Sequence, residues 1–255
     1  MFAVELKFEV QARAAVDART DAVTSLVGAL IRNGNLVDGY VAAGKSKAWT
    51  VHGIAPGRDA FHKANWNKFV QQRIAGLAHV NLKSPRVRFM GKILETAPGC
   101  LCVTPTGFYL FTTFLDLEPP LRCIRCNGTV PLYRLSSSRT GEHSGLLSWQ
   151  SHYQACDTLQ MNCGFGERFG ERQMSDPASG LSRLGLAVCQ EIESLTRHPV
   201  FYYLYRSTAR SRPNELSRRC PTCGGQWLLE TPLHGKFDFK CDQCKLLSNI
   251  AWDVR

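Results

Sequence analysis

Six of the eleven cysteines in this chain fall in Cys-x-x-Cys pairs, and these are the residues whose type and spacing could do chemistry. Two of the pairs, Cys220-Pro221-Thr222-Cys223 and Cys241-Asp242-Gln243-Cys244, have seventeen residues between them. That spacing is the pattern of a four-cysteine zinc ribbon. Each pair makes a tight turn presenting two sulfurs, and a hairpin between the turns brings four thiolates round one tetrahedral Zn²⁺. A site closed by four protein sulfurs has no position for a catalytic water, so the metal would be structural. The alternatives are four unmetallated core cysteines or two disulfides. Gly224 and Gly225 follow the first pair, where the chain must bend sharply. Between the pairs, Trp227 to Leu229 reads as one strand, Thr231 to Gly235 as a turn and Lys236 to Lys240 as the other strand. Phe237 and Phe239 would then share one face, opposite Lys236, Asp238 and Lys240.

The third pair, Cys123-Ile124-Arg125-Cys126, invites a second knuckle with partners among Cys156, Cys163, His143 and His152. On one continuous helix Cys156 and Cys163 would be roughly 10.5 Å apart along the axis. Two sulfurs on one zinc are separated by about 4 Å at most. Both could serve one ion only if the helix ends before Cys163, so ordinary buried cysteines are the plainer reading. Gly39 to Ser46 satisfies the phosphate-loop pattern GxxxxGK[ST]. Such a loop needs a buried strand before it and a helix N-terminus after it. Here a helix precedes it and Gly53, Pro56 and Gly57 come after it, so a glycine-rich loop between strands is expected instead.

The elements that must position these cysteines read as α+β: helices packed on a mostly antiparallel sheet, a helical middle segment and a small C-terminal zinc ribbon. Phe2, Val4, Leu6, Phe8 and Val10 alternate with polar or small residues as in a half-buried strand. A helix carrying Val23, Leu26, Val27, Leu30 and Ile31 comes next and stops at Asn33-Gly34. Lys47 to Ile54 reads as a strand, Asp59 to Ala78 as a second amphipathic helix, and Arg86 to Met90 and Gly107 to Leu115 as further strands. Beyond a polar loop over 136–145, helices are expected at about 146–161 and 179–196, then the aromatic strand Val200 to Tyr205. The expected domains are 1–118, a middle segment 119–210 and the ribbon 211–255.

The 44 % hydrophobic content and thirteen phenylalanines support a packed core. No apolar run reaches the length of a membrane span, and Met1 to Val10 lacks a signal peptide's apolar core. A cytoplasmic location is therefore expected, where thiols favour metal over disulfides. The formal charge is +10. A filled ribbon contributes four thiolates and one Zn²⁺, lowering it to about +8, and a second such site to about +6. The basic balance favours polyanionic partners. Arg218, Arg219, Lys236, Lys240 and Lys245 are the candidate phosphate contacts, with Arg206, Arg210 and Arg212 in the connector before them. The run Phe201 to Tyr205 could stack bases, although a core strand is the plainer reading. Catalytic residues are not legible. The seven histidines are scattered, no HExxH or GxSxG is present, and Cys156-Asp157 has no identifiable base.

The C-terminal half resembles a bacterial family of zinc-ribbon-containing proteins described as candidate nucleic-acid binders. The resemblance rests on Leu132-Tyr133-Arg134-Leu135, Ser148-Trp149-Gln150, Ala155-Cys156-Asp157, Phe201 to Arg206, Arg219-Cys220-Pro221-x-Cys223-Gly224-Gly225-x-Trp227, and Phe237 to Cys244 with Leu246-Leu247-Ser248-Asn249. It implies no catalytic residues and carries over only the four ribbon cysteines. The expectation is a non-enzymatic nucleic-acid-binding protein with a structural zinc, and no small-molecule substrate is indicated. The alternative is a protein-interaction or regulatory adaptor, with an enzyme built on the Cys156 region third.

Overall fold

The computed structural model describes residues 1–12, 15–45, 48–135 and 141–255, and these form two compact units. The first comprises Met1–Leu101, Leu117–Pro119 and Gly128–Ser144, and the second Cys102–Asp116, Pro120–Asn127 and Gly145–Arg255.

In the first unit the alternation at the N-terminus forms β1 (Phe2–Glu9), with Val4, Leu6 and Phe8 fully buried. Then come α1 (Val16–Asn33), β2 (Val41–Lys45), β3 (Ala48–Ala55), α2 (Lys68–Gly76) and β4 (Arg86–Lys92). The sheet order is β2-β3-β1-β4 with every neighbouring pair antiparallel, two interleaved split β-α-β units. Helix α1 ends where expected. Gly34 takes the left-handed conformation (φ 80°) and its N–H caps the carbonyls of Leu30 and Ile31. Val23, Leu26, Val27 and Leu30 meet the β1 and β3 side chains in one apolar core.

Helix α2 is shorter than the expected 59–78. It starts at Asn67, whose side chain accepts the Val70 N–H at 2.9 Å. The residues before it are held in turns, because Asp59 accepts hydrogen bonds from Tyr133 Oη (2.6 Å) and Arg134 Nη2 (2.9 Å). The phosphate-loop look-alike lies largely on edge strand β2, where Gly44 pairs with Trp49 and Lys45 with Ala48. The next element after it is strand β3 rather than a helix. Ser46 and Lys47 are outside the described residues, as are positions 136–140 of the expected polar loop.

The second unit contains β5 (Phe108–Leu110), β6 (Leu121–Cys123), α3 (Ser144–Met161), α4 (Glu167–Ser175), α5 (Gly180–Thr196), β7 (Val200–Leu204), α6 (Arg212–Leu216), β8 (Leu228–Leu233), β9 (Phe237–Cys241) and β10 (Leu246–Ser248). Its sheet is mixed, in the order β6-β5-β7-β10-β9-β8, with β7 parallel to both β5 and β10. All five residues of β7 are buried, so the aromatic run is a central core strand. Helix α5 packs on it through Gly185, where a Cβ would collide with the rings of Tyr202 and Trp149.

Three features of this unit differ from expectation. The strand expected over 107–115 is only Phe108–Leu110, and it pairs in the second sheet rather than the first. A helix not expected from the sequence, α4, is entered through Gly166 at φ 74°. The ribbon has a third strand, β10, which joins its hairpin to β7. The middle segment and the ribbon therefore share one sheet.

The join is hydrogen-bonded through buried side chains. Ser248 Oγ donates to the Leu204 carbonyl at 2.8 Å. Asn249 Oδ1 accepts from Tyr203 Oη (2.8 Å) and the Arg206 N–H (3.0 Å), while its Nδ2 donates to the Arg206 carbonyl (2.7 Å).

Candidate metal centres

Cys220 and Cys223 sit on a turn closed by two backbone hydrogen bonds. The Gly224 N–H donates to the Cys220 carbonyl and the Cys220 N–H to the Gly225 carbonyl, both at 2.9 Å. Gly224 has φ 71°, the positive value that glycine accommodates without steric cost. The facing pair straddles the end of β9, with the Cys244 N–H 3.4 Å from Cys241 Sγ and Lys245 at φ 54°. The hairpin between them turns through His234 and Gly235, both at positive φ (54° and 65°), which matches the twist of the flanking strands. Together these elements place the four sulfurs within 4.8 Å of one another, with Cys223 and Cys241 3.7 Å apart. Tetrahedral zinc with Zn–S near 2.3 Å needs sulfurs about 3.8 Å apart.

A second tetrad is formed by Cys100, Cys102, Cys123 and Cys126, again within 4.8 Å of one another. Cys102 and Cys123 are 4.0 Å apart. Its knuckle repeats the turn at 220–224. The Asn127 N–H donates to the Cys123 carbonyl at 2.9 Å, and Asn127 has φ 60°. The partners considered from the sequence are elsewhere. Cys156 is buried on α3, and burial pushes its thiol up, away from nucleophile or ligand character. Cys163 is exposed, with its sulfur 3.5 Å from the Gln160 carbonyl. His143 is buried outside the tetrad, and burial holds its imidazole toward the neutral form. The available signal was Cys100-Leu101-Cys102, two sulfurs on alternate residues shortly before the third pair. Among the described residues these two tetrads are the sets of cysteine, histidine or carboxylate ligands close enough to share an ion.

Without a cation the C-terminal tetrad is electrostatically mixed. The Gly225 N–H and then the Cys244 thiol stabilise the Cys223 thiolate, bringing it down to about 7. Burial pushes Cys241 and Cys244 up instead. A divalent ion would deprotonate the whole set, which is how such sites couple metal binding to folding.

The basic residues nominated from the sequence have different surroundings. Arg218 is committed to the interior. Its guanidinium pairs with Glu215 at 3.0 Å, donates to Ser248 Oγ and the Asn249 carbonyl, and lies over the rings of Trp227 and Phe239. Glu215 is 1 % exposed and also meets Arg206 at 3.5 Å, so one buried carboxylate is shared by two half-buried arginines. Trp227 is buried against Phe239, in keeping with a packing role. Lys240 pairs with Asp242 (2.6 Å) and Lys245 with Glu193 (3.6 Å), and both lie over the Phe201 ring. Lys236 is exposed, with its ammonium over the Phe111 ring. Arg219 is exposed beside Cys220 and Arg125 within the third pair.

Residues 102–205 match a family model described as a domain of unknown function, DUF2310. An uncharacterised protein of Haemophilus influenzae is 32 % identical over 200 residues, 78 % of this chain and 77 % of its own length. The chain belongs to the bacterial DUF2310 family. A second uncharacterised H. influenzae protein is 39 % identical over 150 residues, covering 59 % of this chain and 74 % of its own. Outside the DUF2310 region, residues 1–91 and 209–254 match two further domains of unknown function, DUF8589 and DUF8594. The second of these contains the whole C-terminal tetrad. A Deinococcus radiodurans crystal structure, provisionally assigned as an antibiotic biosynthesis monooxygenase, aligns with 38 % of this chain and 98 % of its own. At 14 % identity and a TM-score of 0.28 it carries no argument. No helix among the described residues is long and apolar enough to cross a membrane.

Proposed function

We propose that this protein is a non-enzymatic, zinc-dependent nucleic-acid-binding protein that carries two structural zinc ions. The observation that carries the zinc reading is the recurrence of one turn. Cys123–Asn127 and Cys220–Gly224 have the same carbonyl-to-N–H closure and the same left-handed fifth residue, and each presents its sulfurs to a second cysteine pair. All-sulfur tetrads suit zinc, and with no open position the ions would hold structure rather than perform chemistry. For a nucleic-acid partner, support comes from charge. Starting from +10, two filled tetrads leave a formal charge of about +6. Arg125 and Arg219 are exposed within or beside the knuckle cysteines, and Arg210 and Arg212 are exposed in the connector before the second knuckle. Phosphate neutralisation by such residues positions a strand without reading its sequence.

The test is a salt titration of binding to labelled single-stranded and duplex oligonucleotides. The proposal expects affinity to fall linearly on a log–log plot, with a slope of about −0.7 to −0.9 per phosphate contacted. Arg219→Gln and Arg125→Gln should each flatten that slope by about one contact. Binding that is absent at low salt would refute the nucleic-acid reading.

A specific observation favours the adaptor as second reading. Three of the five nominated cations already face carboxylates, Arg218 with Glu215, Lys240 with Asp242 and Lys245 with Glu193. Leu101 and Val103, which flank Cys102, are 89 % and 97 % exposed. A partner captured on the full chain after nuclease treatment, and lost in Leu101→Ser/Val103→Ser, would select the adaptor.

A further inference from the structure

Within the second unit, away from both tetrads, lies a cavity of about 260 Å³. Its walls are aromatic: Phe111, Tyr153, Tyr203 and Phe237 inside, with Trp252 at the edge. Trp252 is 56 % exposed, so its ring is accessible at the edge of the cavity. One acidic group, Asp157 of α3, lines this apolar space and is 7 % exposed. Its Oδ2 accepts the Phe114 N–H at 2.8 Å. Burial, with Asp116 adding repulsion, raises its carboxyl pKa, so an added N–H donor would stabilise the charged form. The lining also holds two cations. Lys236 lies over Phe111, and Arg255 lies 5.0 Å from the Trp252 ring centre while reaching Asp238 at 3.9 Å.

The size is at the small end of ligand pockets, which span about 300–1,000 Å³, and suits a single ring system. A lone ammonium ligand would match the rings and the carboxylate but would be opposed by Lys236 and Arg255. A flat heteroaromatic ring with an N–H on its edge and an anionic substituent uses all three features. We infer that this cavity binds one nucleobase carrying a phosphate, stacked on Trp252, with an N–H of the base donating to Asp157 Oδ1 and the phosphate facing Lys236 and Arg255. The nucleotide could be free or an unpaired member of a strand. In the strand case the inference rests on the nucleic-acid reading above, and the pocket adds the stacking and edge recognition that single-stranded binders use.

The experiment is calorimetric titration of the zinc-loaded full chain with the four nucleoside 5′-monophosphates, tetramethylammonium chloride, and a short oligonucleotide with and without abasic positions. Trp252→Ala, at an exposed site, should keep the fold and weaken monophosphate binding about tenfold, the effect of one lost stacking contact. Asp157→Asn should weaken it by a similar factor, while Arg219→Gln should leave monophosphate affinity unchanged. Monophosphate binding without oligonucleotide binding would support the pocket and refute the nucleic-acid function. Oligonucleotide binding indifferent to abasic substitution and to Trp252→Ala, with no monophosphate binding, would refute the pocket and leave that function standing. Tetramethylammonium binding that Trp252→Ala abolishes, without monophosphate binding, would overturn the base assignment in favour of a cation site.

Discussion

The two units of this chain reach stability by different routes. In the first, an alternating strand, an amphipathic helix and an antiparallel sheet bury Leu6, Phe8, Leu26 and Val51 in one apolar core. Its interior also holds a small polar pair, Asn33 Nδ2 donating to Asn35 Oδ1 and Asn35 Nδ2 to the Ala60 carbonyl, both at 2.6 Å. In the second, the short ribbon strands β9 and β10 bury Asp238 and Ser248, with Asn249 next in the chain and Glu215 buried on α6. Hydrogen bonds and ion pairs meet those groups in the folded ribbon, whose hairpin is bracketed by the two cysteine knuckles. The difference teaches that a sheet extended by short polar strands needs an added constraint. Four sulfurs converging within 4.8 Å are that constraint, provided they hold an ion.

The comparison breaks most visibly at the metal. With the tetrads holding zinc as proposed, Cys220→Ser or a chelator should release the ribbon strands and much of the second unit. The free energy of structural zinc binding is on the order of 10 kcal/mol or more. Hydrogen exchange should show protection lost over 220–250 while α1 and β1 remain protected. Equal loss in both units would show that the first is not self-sufficient.

Next in size is the carboxylate shared by two arginines. Arg218→Ala leaves buried Glu215 with Arg206 alone and should cost about 1.5–3 kcal/mol, read as a lower denaturation midpoint of the second unit. If Arg218 were only a surface phosphate contact, the midpoint would hardly move.

A smaller effect comes from close packing. Gly185→Ala should destabilise by about 1–3 kcal/mol, because Tyr202 and Trp149 must shift to admit the methyl group. A neutral result would mean that α5 and β7 can separate freely.

The smallest effect sharpens the comparison from the first unit. Burial pushes the Asp59 carboxyl up, but the Tyr133 hydroxyl and Arg134 outweigh it, so its pKa lies below the ordinary aspartate value. Its contribution is therefore present above the unfolded value, about pH 4, and is lost as pH falls through the depressed one. The side chain is 45 % exposed, so Asp59→Asn should cost less than about 1 kcal/mol at neutral pH. The difference from wild type should vanish in acid unfolding experiments.

Much of the first unit was legible because one periodicity dictated each element. Alternation gave β1, a 3.6-residue stripe gave α1, and Asn33-Gly34 marked its end. Helix α2 came out too long because Asp59 and Asn67, both helix-start residues, lie eight positions apart and only contacts from Tyr133 and Arg134 decide between them. The C-terminal cysteines were legible from spacing alone. Cys100 and Cys102 were not, because their partners stand more than twenty residues on and no local period links them. The fate of the arginines was hidden for a related reason. A sequence shows that Arg218 and Arg219 are adjacent, but only the fold places Glu215 under one and solvent beside the other.

The most direct test of the account is zinc per chain on purified full-length protein, with Cys220→Ser and Cys123→Ser alongside. The account predicts two zinc ions in the wild type and one in each variant. A single zinc that Cys123→Ser retains, or none after careful reconstitution, would contradict it.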